Sequence, residues 1–258
     1  MNTHQKLNLI CPFSSPYELW ETRELTSEET DKLIENGQWK PFLTVKVKLE
    51  TTISTPFDAA RFIASNKNDS RLDHRVTAYI RENPGYSQWR SYMPSETPDA
   101  LADYQENYPP DDFSPINQLV VNYGIALPEG QSLFHGGFWP VNEDGSLLDT
   151  HTTNRVLSTS LCPKVALNNG DWRGKAYDAG RLDLMVITVK KSAKKAFIFD
   201  MDADPNGHEL EVLFEDGVQL TLIDAQLVST KFNTCKADKL GYTVSKTIPV
   251  YVLQVELR

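Results

Sequence analysis

His208-Glu209-Leu210-Glu211-Val212-Leu213-Phe214 sets two carboxylates two residues apart at the head of an apolar run with the length and composition of a strand. Side chains two apart on a strand point the same way, so Glu209 and Glu211 are expected on one face, where their like charges repel. That cost argues for a task. Outward from this stretch, short strands are expected at Ser132 to Phe138, Arg155 to Ser160, Leu182 to Val189, Ala196 to Phe199, Val218 to Ile223 and Val250 to Leu257, separated by glycine and asparagine turns. Strands at this spacing make a sandwich or a barrel. The unbroken apolar content of Leu184-Met185-Val186-Ile187 fits a strand buried on both faces.

The chain before about residue 112 reads differently, as mostly helical with one strand. Ser27 is a candidate N-cap for a helix with acids in its first turn and Gly37 as its stop. Leu43 to Leu49 alternates as a half-buried strand should. Thr55-Pro56 opens a helix, and a second runs from Leu72 to about Arg81, before Asn83-Pro84-Gly85. Met93 to Asp112 is rich in Pro, Asp, Glu and Tyr, and its Pro109-Pro110-Asp111-Asp112 end marks the expected boundary between a helical N-terminal lobe, 1–112, and a second unit, 113–258, which starts with a helix from Pro115 to about Tyr123.

Composition bounds the function. With 40% hydrophobic and 24% charged residues the chain is that of a folded, soluble protein. A net charge of -9 weighs against nonspecific nucleic-acid binding, which needs a basic surface. Cys11, Cys162 and Cys235 are odd in number and widely spaced, which argues against a disulfide framework and a structural zinc site and for a reducing compartment. The first residues hold no apolar run of secretory length and no segment approaches the roughly 20 apolar residues that span a bilayer, so no membrane is expected and the protein is placed in a cytoplasm, or in a host cytosol after export without a cleaved signal.

Three fragments follow one another: Leu133-Phe134-His135-Gly136-Gly137, then Leu157-Ser158-Thr159-Ser160, then Glu209-Leu210-Glu211 with its apolar strand and Asp216-Gly217 turn. In order and spacing they resemble the bacterial mono-ADP-ribosyltransferases of the arginine, Ser-Thr-Ser, Glu-X-Glu class. The resemblance covers about 113–258. It implies an α+β fold, a split β-sandwich holding NAD in its cleft, and transfer of ADP-ribose to a protein, with a host protein as the target of a toxin or effector. The family carries arginine where His135 stands. Its diphtheria-type branch places His-Gly in this strand to hold a ribose, and His135-Gly136 is similar.

The residues support this chemistry in their own terms. Cleaving the bond between nicotinamide and ribose develops positive charge on the sugar, which a fixed carboxylate stabilises. Glu211 is assigned that part. Glu209, nearer the turn that the resemblance makes a substrate-recognition loop, is assigned the acceptor, a carboxylate there suiting a guanidinium; threonine or another hydroxyl is the alternative acceptor. Ser158 and Ser160 flank Thr159 and share a face, from which they hold the ribose or the catalytic glutamate, Ser158 first. Arg181, by its likeness to the arginine that ends the family's loop, and Arg173 are candidates for the pyrophosphate, and Trp172 for stacking on a flat ring.

Singly, each feature has a plainer reading: a core histidine, a common tripeptide, a solvated acidic face. Tyr104, Tyr108 and Trp139 read as packing aromatics. Two rival functions remain, a glycohydrolase that cleaves NAD without an acceptor, and a fold of this kind without turnover that serves as a binding module. Cys162 with His151 or His208 as nucleophile and base is a further, weaker alternative.

Overall fold

The computed structural model describes residues 6–37, 44–65 and 71–258. In the N-terminal part β1 (Tyr17–Glu24) pairs antiparallel with β2 (Thr44–Ile53). The expected single strand is thus half of a ribbon; its proposed first residue, Leu43, lies outside the described residues. Helices α1 (Ser27–Glu35), α2 (Pro56–Ala64), α3 (Leu72–Glu82), α4 (Pro84–Arg90) and α5 (Asp99–Glu106) complete this part. The cap of α1 is Thr26, not Ser27: its hydroxyl accepts from Glu29 N while the Glu29 carboxylate accepts from Thr26 N, a reciprocal capping box. Gly37 ends it at φ 68°.

The remainder holds α6 (Ser114–Tyr123), β3 (Ile125–Ala126), β4 (Ser132–Gly137), β5 (Thr150–Thr152), β6 (Leu157–Ser160), α7 (Pro163–Asp171), α8 (Lys175–Ala179), β7 (Leu182–Val189), β8 (Lys195–Ile198), β9 (Glu211–Phe214), β10 (Gln219–Ala237) and β11 (Thr243–Leu257). The strand order is β3-β8-β9-β6-β4-β7-β11-β10-β5. Between β6 and β4 one residue pair, Phe134 with Ser160, joins four strands on one side to five on the other. The chain therefore has the expected α+β architecture, built on one nine-stranded sheet that narrows to a single residue pair between β4 and β6. β7 is buried along nearly its whole length, as its apolar run requires, pairing parallel with β11 and antiparallel with β4.

Two features were not foreseen. After Ser-Thr-Ser the chain forms α7 and α8, which the sequence does not mark. Beyond the sheet, β10 and β11 continue as a long two-stranded ribbon rather than ending at Ile223 and starting at Val250. Helix α7 lies against β4 so closely that a Cβ on Gly136 would sit 1.9 Å from the Ala166 carbonyl oxygen, and one on Gly170 would lie 2.9 Å from the Gly136 carbonyl carbon. Only glycine fits at either position, and the contact brings the helix up to the strand that carries His135.

Buried residues of both parts form one continuous cluster. Polar bonds pin the N-terminal helices to the sheet: the Tyr86 hydroxyl donates to the Phe199 carbonyl and accepts from Met201 N, both at 2.9 Å, and Arg90 donates to the Ile198 carbonyl at 2.6 Å. Each satisfies a backbone group at the end of β8. This docking brings α5 up to Glu211 at the head of β9. Among the described residues no helix is long and apolar enough to cross a membrane.

Candidate active site

Where β4 and β6 part, the His135 ring bridges the opening, its Nδ1 donating to the Ser158 carbonyl oxygen at 2.7 Å. A carbonyl only accepts, so Nδ1 carries the proton and Nε2 is left as an acceptor. Burial, with the charges of Lys175 and Arg155 behind it, pulls the imidazole pKa below its usual value and keeps the ring neutral. The Nε2 atom lies over Gly137, where a Cβ would approach it to 2.8 Å.

Glu211 opens β9, opposite Ser160 of β6, and is only 5% exposed. Its two oxygens are held separately: Ser158 Oγ donates to Oε1 at 2.6 Å, and Gln105 Nε2, from α5, donates to Oε2 at 2.9 Å. Burial pushes its pKa up from 4.5 to about 7 against the pull of both hydrogen bonds, with the charges of Glu209 and Asp204 adding to the rise. Gln105 is itself anchored, since Asn206 Nδ2 donates to its backbone carbonyl at 2.8 Å. Its Oε1 is buried without a partner.

Glu209 does not share a strand face with Glu211. It ends a 3-10 turn, Gly207–Glu209, and Leu210 follows at φ 51°, ψ 42°, a left-handed conformation that breaks the alternation. Burial of the Leu210 side chain, 2% exposed, holds the kink in place. Ser160 fixes the same turn, its Oγ donating to the Glu209 carbonyl at 2.6 Å and accepting from Cys162 N at 3.0 Å. The Glu209 carboxylate accepts from Asn169 Nδ2 at 3.4 Å, and burial raises its pKa. Thr159 faces the other way and donates to the Val212 carbonyl at 2.6 Å, tying β6 to β9.

These groups line one cleft of about 820 Å³, within the roughly 300–1,000 Å³ of small-molecule sites. Of the residues singled out from sequence, Glu211, Glu209, Ser158, Thr159, Ser160, His135, Gly136 and Trp172 border it. Arg181 does not. Its Nη2 lies 2.9 Å from Oδ2 of Asp183, which is 1% exposed, and also donates to the Trp139 carbonyl. Arg173 stands beside the cleft, its guanidinium carbon 4.0 Å from the centroid of the Trp172 ring. Among the cleft residues to which sequence reading gave no role are Gln105, Arg155 and Lys175.

Tyr104 and Tyr108 pack edge to face at 5.6 Å, and Tyr108 meets Trp172 at 6.5 Å, so the tyrosines expected only to pack the lobe also wall the cleft. Cys162 is withdrawn as a nucleophile. It is 1% exposed and burial pushes its thiol up to about 11.

No protein-family model and no curated protein matches the chain. Solved structures do match. The Vis toxin, an ADP-ribosyltransferase from Vibrio splendidus, is similar at 13% identity with a TM-score of 0.44, over 76% of this chain and 90% of that one. The Clostridium limosum C3 exoenzyme is similar at 16% identity and TM-score 0.33, over 79% and 95%. The enzymatic component C2-I of the Clostridium botulinum C2 toxin is similar at 10% and 0.36, over 66% and 45%. At such identities and scores nothing is carried from these proteins to this chain, and function rests on the geometry of the cleft.

Proposed function

We propose that the protein is a mono-ADP-ribosyltransferase that moves ADP-ribose from NAD to a side chain of another protein, arginine before threonine, with 113–258 as the catalytic unit and 1–112 as the lobe that closes it. The observation that carries this reading is the Glu211 carboxylate, buried yet gripped at both oxygens beside a cleft large enough for a dinucleotide. Such a group is worth its burial only where it meets positive charge.

The residues fit NAD. The Gln105 Oε1 atom is a buried acceptor in want of a donor, His135 lines the cleft and keeps Nε2 as an acceptor, and Trp172 and Tyr108 offer flat apolar walls. When bound, NAD supplies the glycosidic bond between ribose and nicotinamide. Glu211, ionised, stabilises the positive charge that grows on the sugar, and Ser158 with Gln105 holds it in the one orientation that serves. His135 accepts from a ribose hydroxyl. Glu209, on its rigid turn at the cleft's edge, takes up the acceptor side chain and receives its proton. A host protein is the partner this reading favours.

Because Glu211 must be charged to act and titrates near 7, kcat/KM for NAD cleavage is expected to climb about tenfold per unit below pH 7 and to level off above it. A flat profile between pH 5 and 8 would contradict the assignment. Incubation with labelled NAD and a cell lysate tests the function itself. Label on protein supports transfer, nicotinamide release without label makes the protein a glycohydrolase, and neither would leave a binding module. Glu209→Gln is expected to lose labelling of protein by about a hundredfold while keeping most nicotinamide release; equal loss of both would remove Glu209 from the acceptor side.

A further inference from the structure

Arg155 and Lys175 line the cleft as cations that no carboxylate balances among the described residues. Arg155 stands three residues before Ser158, and Lys175 opens α8. The Arg155 guanidinium carbon lies 5.2 Å from the centroid of the Phe113 ring, and Lys175 Nζ lies 5.3 Å from that of Tyr108 and 5.2 Å from that of Trp172. Among the described residues neither forms an ion pair with a carboxylate.

Arg173 adds a third positive charge over the Trp172 ring. Gathering cations in this way is unfavourable, and it happens in a chain whose net charge is -9. The cost shows at Lys175, where burial first, then Arg155 and Arg173, pull the ammonium below its ordinary pKa. The cleft is also divided by sign. The charges of Arg155 and Lys175 act on His135, whereas those acting on Glu211 are the carboxylates of Glu209 and Asp204.

We infer that Arg155 and Lys175, seated on Phe113, Tyr108 and Trp172, bind the diphosphate of the dinucleotide and so supply the cation that position 135 lacks. The identity of the rest of the ligand rests on the NAD reading; the anion site does not. A guanidinium forks onto two phosphate oxygens, an ammonium adds a point charge, and the aromatic faces beneath both hold them in place and limit water around them. A neutral histidine can do none of this. Arg181, the residue that sequence favoured for the task, is engaged with Asp183.

Calorimetry on the full chain with inorganic pyrophosphate, ADP-ribose and nicotinamide tests the assignment. Arg155→Met and Lys175→Met keep an apolar stem over the rings and each removes a cation that costs the fold, so thermal melting should be unchanged or slightly raised. Each is expected to weaken pyrophosphate and ADP-ribose by about tenfold or more and to leave nicotinamide affinity as it was. Arg155→Lys should recover part of the loss. Equal affinity of the unaltered protein and both variants for the two phosphate probes overturns the inference, as does absence of binding by the unaltered protein. If the unaltered protein binds pyrophosphate through these residues yet releases no nicotinamide from NAD, the anion site stands and the transferase reading falls. If NAD is cleaved with KM unchanged in both variants, the reverse holds.

Discussion

Glu211→Gln is expected to lose about 100- to 1,000-fold or more in NAD cleavage and in transfer alike, while the folded protein becomes more stable at pH 8. The two effects have one cause. A carboxylate whose pKa rises from 4.5 to about 7 on folding favours the folded state fully below pH 4.5, and that contribution is lost as pH climbs through 7. Above pH 7 the ionised group therefore costs the fold about 3 kcal/mol relative to a neutral one. Glutamine is neutral throughout and nearly isosteric. Its carbonyl accepts from Ser158 Oγ, and a flip of the Gln105 amide turns the unpartnered Oε1 toward the new NH2 group. Melting curves should thus separate variant from unaltered protein at pH 8 and bring them together near pH 5. A variant that lost activity because it unfolded would show the opposite order, and one that kept cleaving NAD would end the proposed mechanism.

The fold was legible where period and burial agree. β7 was foreseen from Leu182 to Val189 because a strand buried on both faces must be apolar at every position, and β4 because its run is bounded by turn residues. β1 was not, since Tyr17–Glu24 carries acids on a ribbon that exposes most of both faces. α7 was hidden by Gly170 and its two asparagines, poor helix formers that here serve the close approach to β4. The ribbon of β10 and β11 beyond the sheet buries little besides Thr234 and Ile248, too little to impose alternation on its sequence.

The site divides along the same line. Ser158 and Glu211 sit on neighbouring strands with marked sequence patterns, and the structure joins them by a hydrogen bond. Gln105 gave no signal, because what places it is docking of α5 onto residues 101 and 106 positions away in sequence. The separation of Glu209 from Glu211 was foreshadowed by Pro205-Asn206-Gly207, which announces a turn, but not by anything at Leu210, whose left-handed backbone is a tertiary effect of its burial. Arg181 could have been set aside from sequence: Asp183 follows two residues later on an expected strand, and residues two apart share a face.

That pair makes the second large effect. Asp183→Ala is expected to destabilise the protein by about 3–5 kcal/mol, read as a fall in the denaturant midpoint, because it strands what the carboxylate serves. Asp183 is 1% exposed on β7, accepts from Trp139 N at 2.7 Å and lies 2.9 Å from Arg181 Nη2. Without it a buried backbone N–H is orphaned where β4 ends, and the guanidinium loses its partner while fixed to the Trp139 carbonyl. Arg181→Met is the milder change. It leaves Asp183 bonded to Trp139 N, and burial already raises the pKa of this carboxyl, so the acid can take up a proton in place of its lost ion pair. About 1–3 kcal/mol is expected there. More telling is what Arg181→Met should leave alone: KM for NAD, which a pyrophosphate-gripping arginine would have raised by about tenfold or more. Loss of affinity without loss of stability in that variant would return Arg181 to the cleft; loss of stability without loss of affinity keeps it where the structure puts it, as the strut that ties the Trp139 turn to β7.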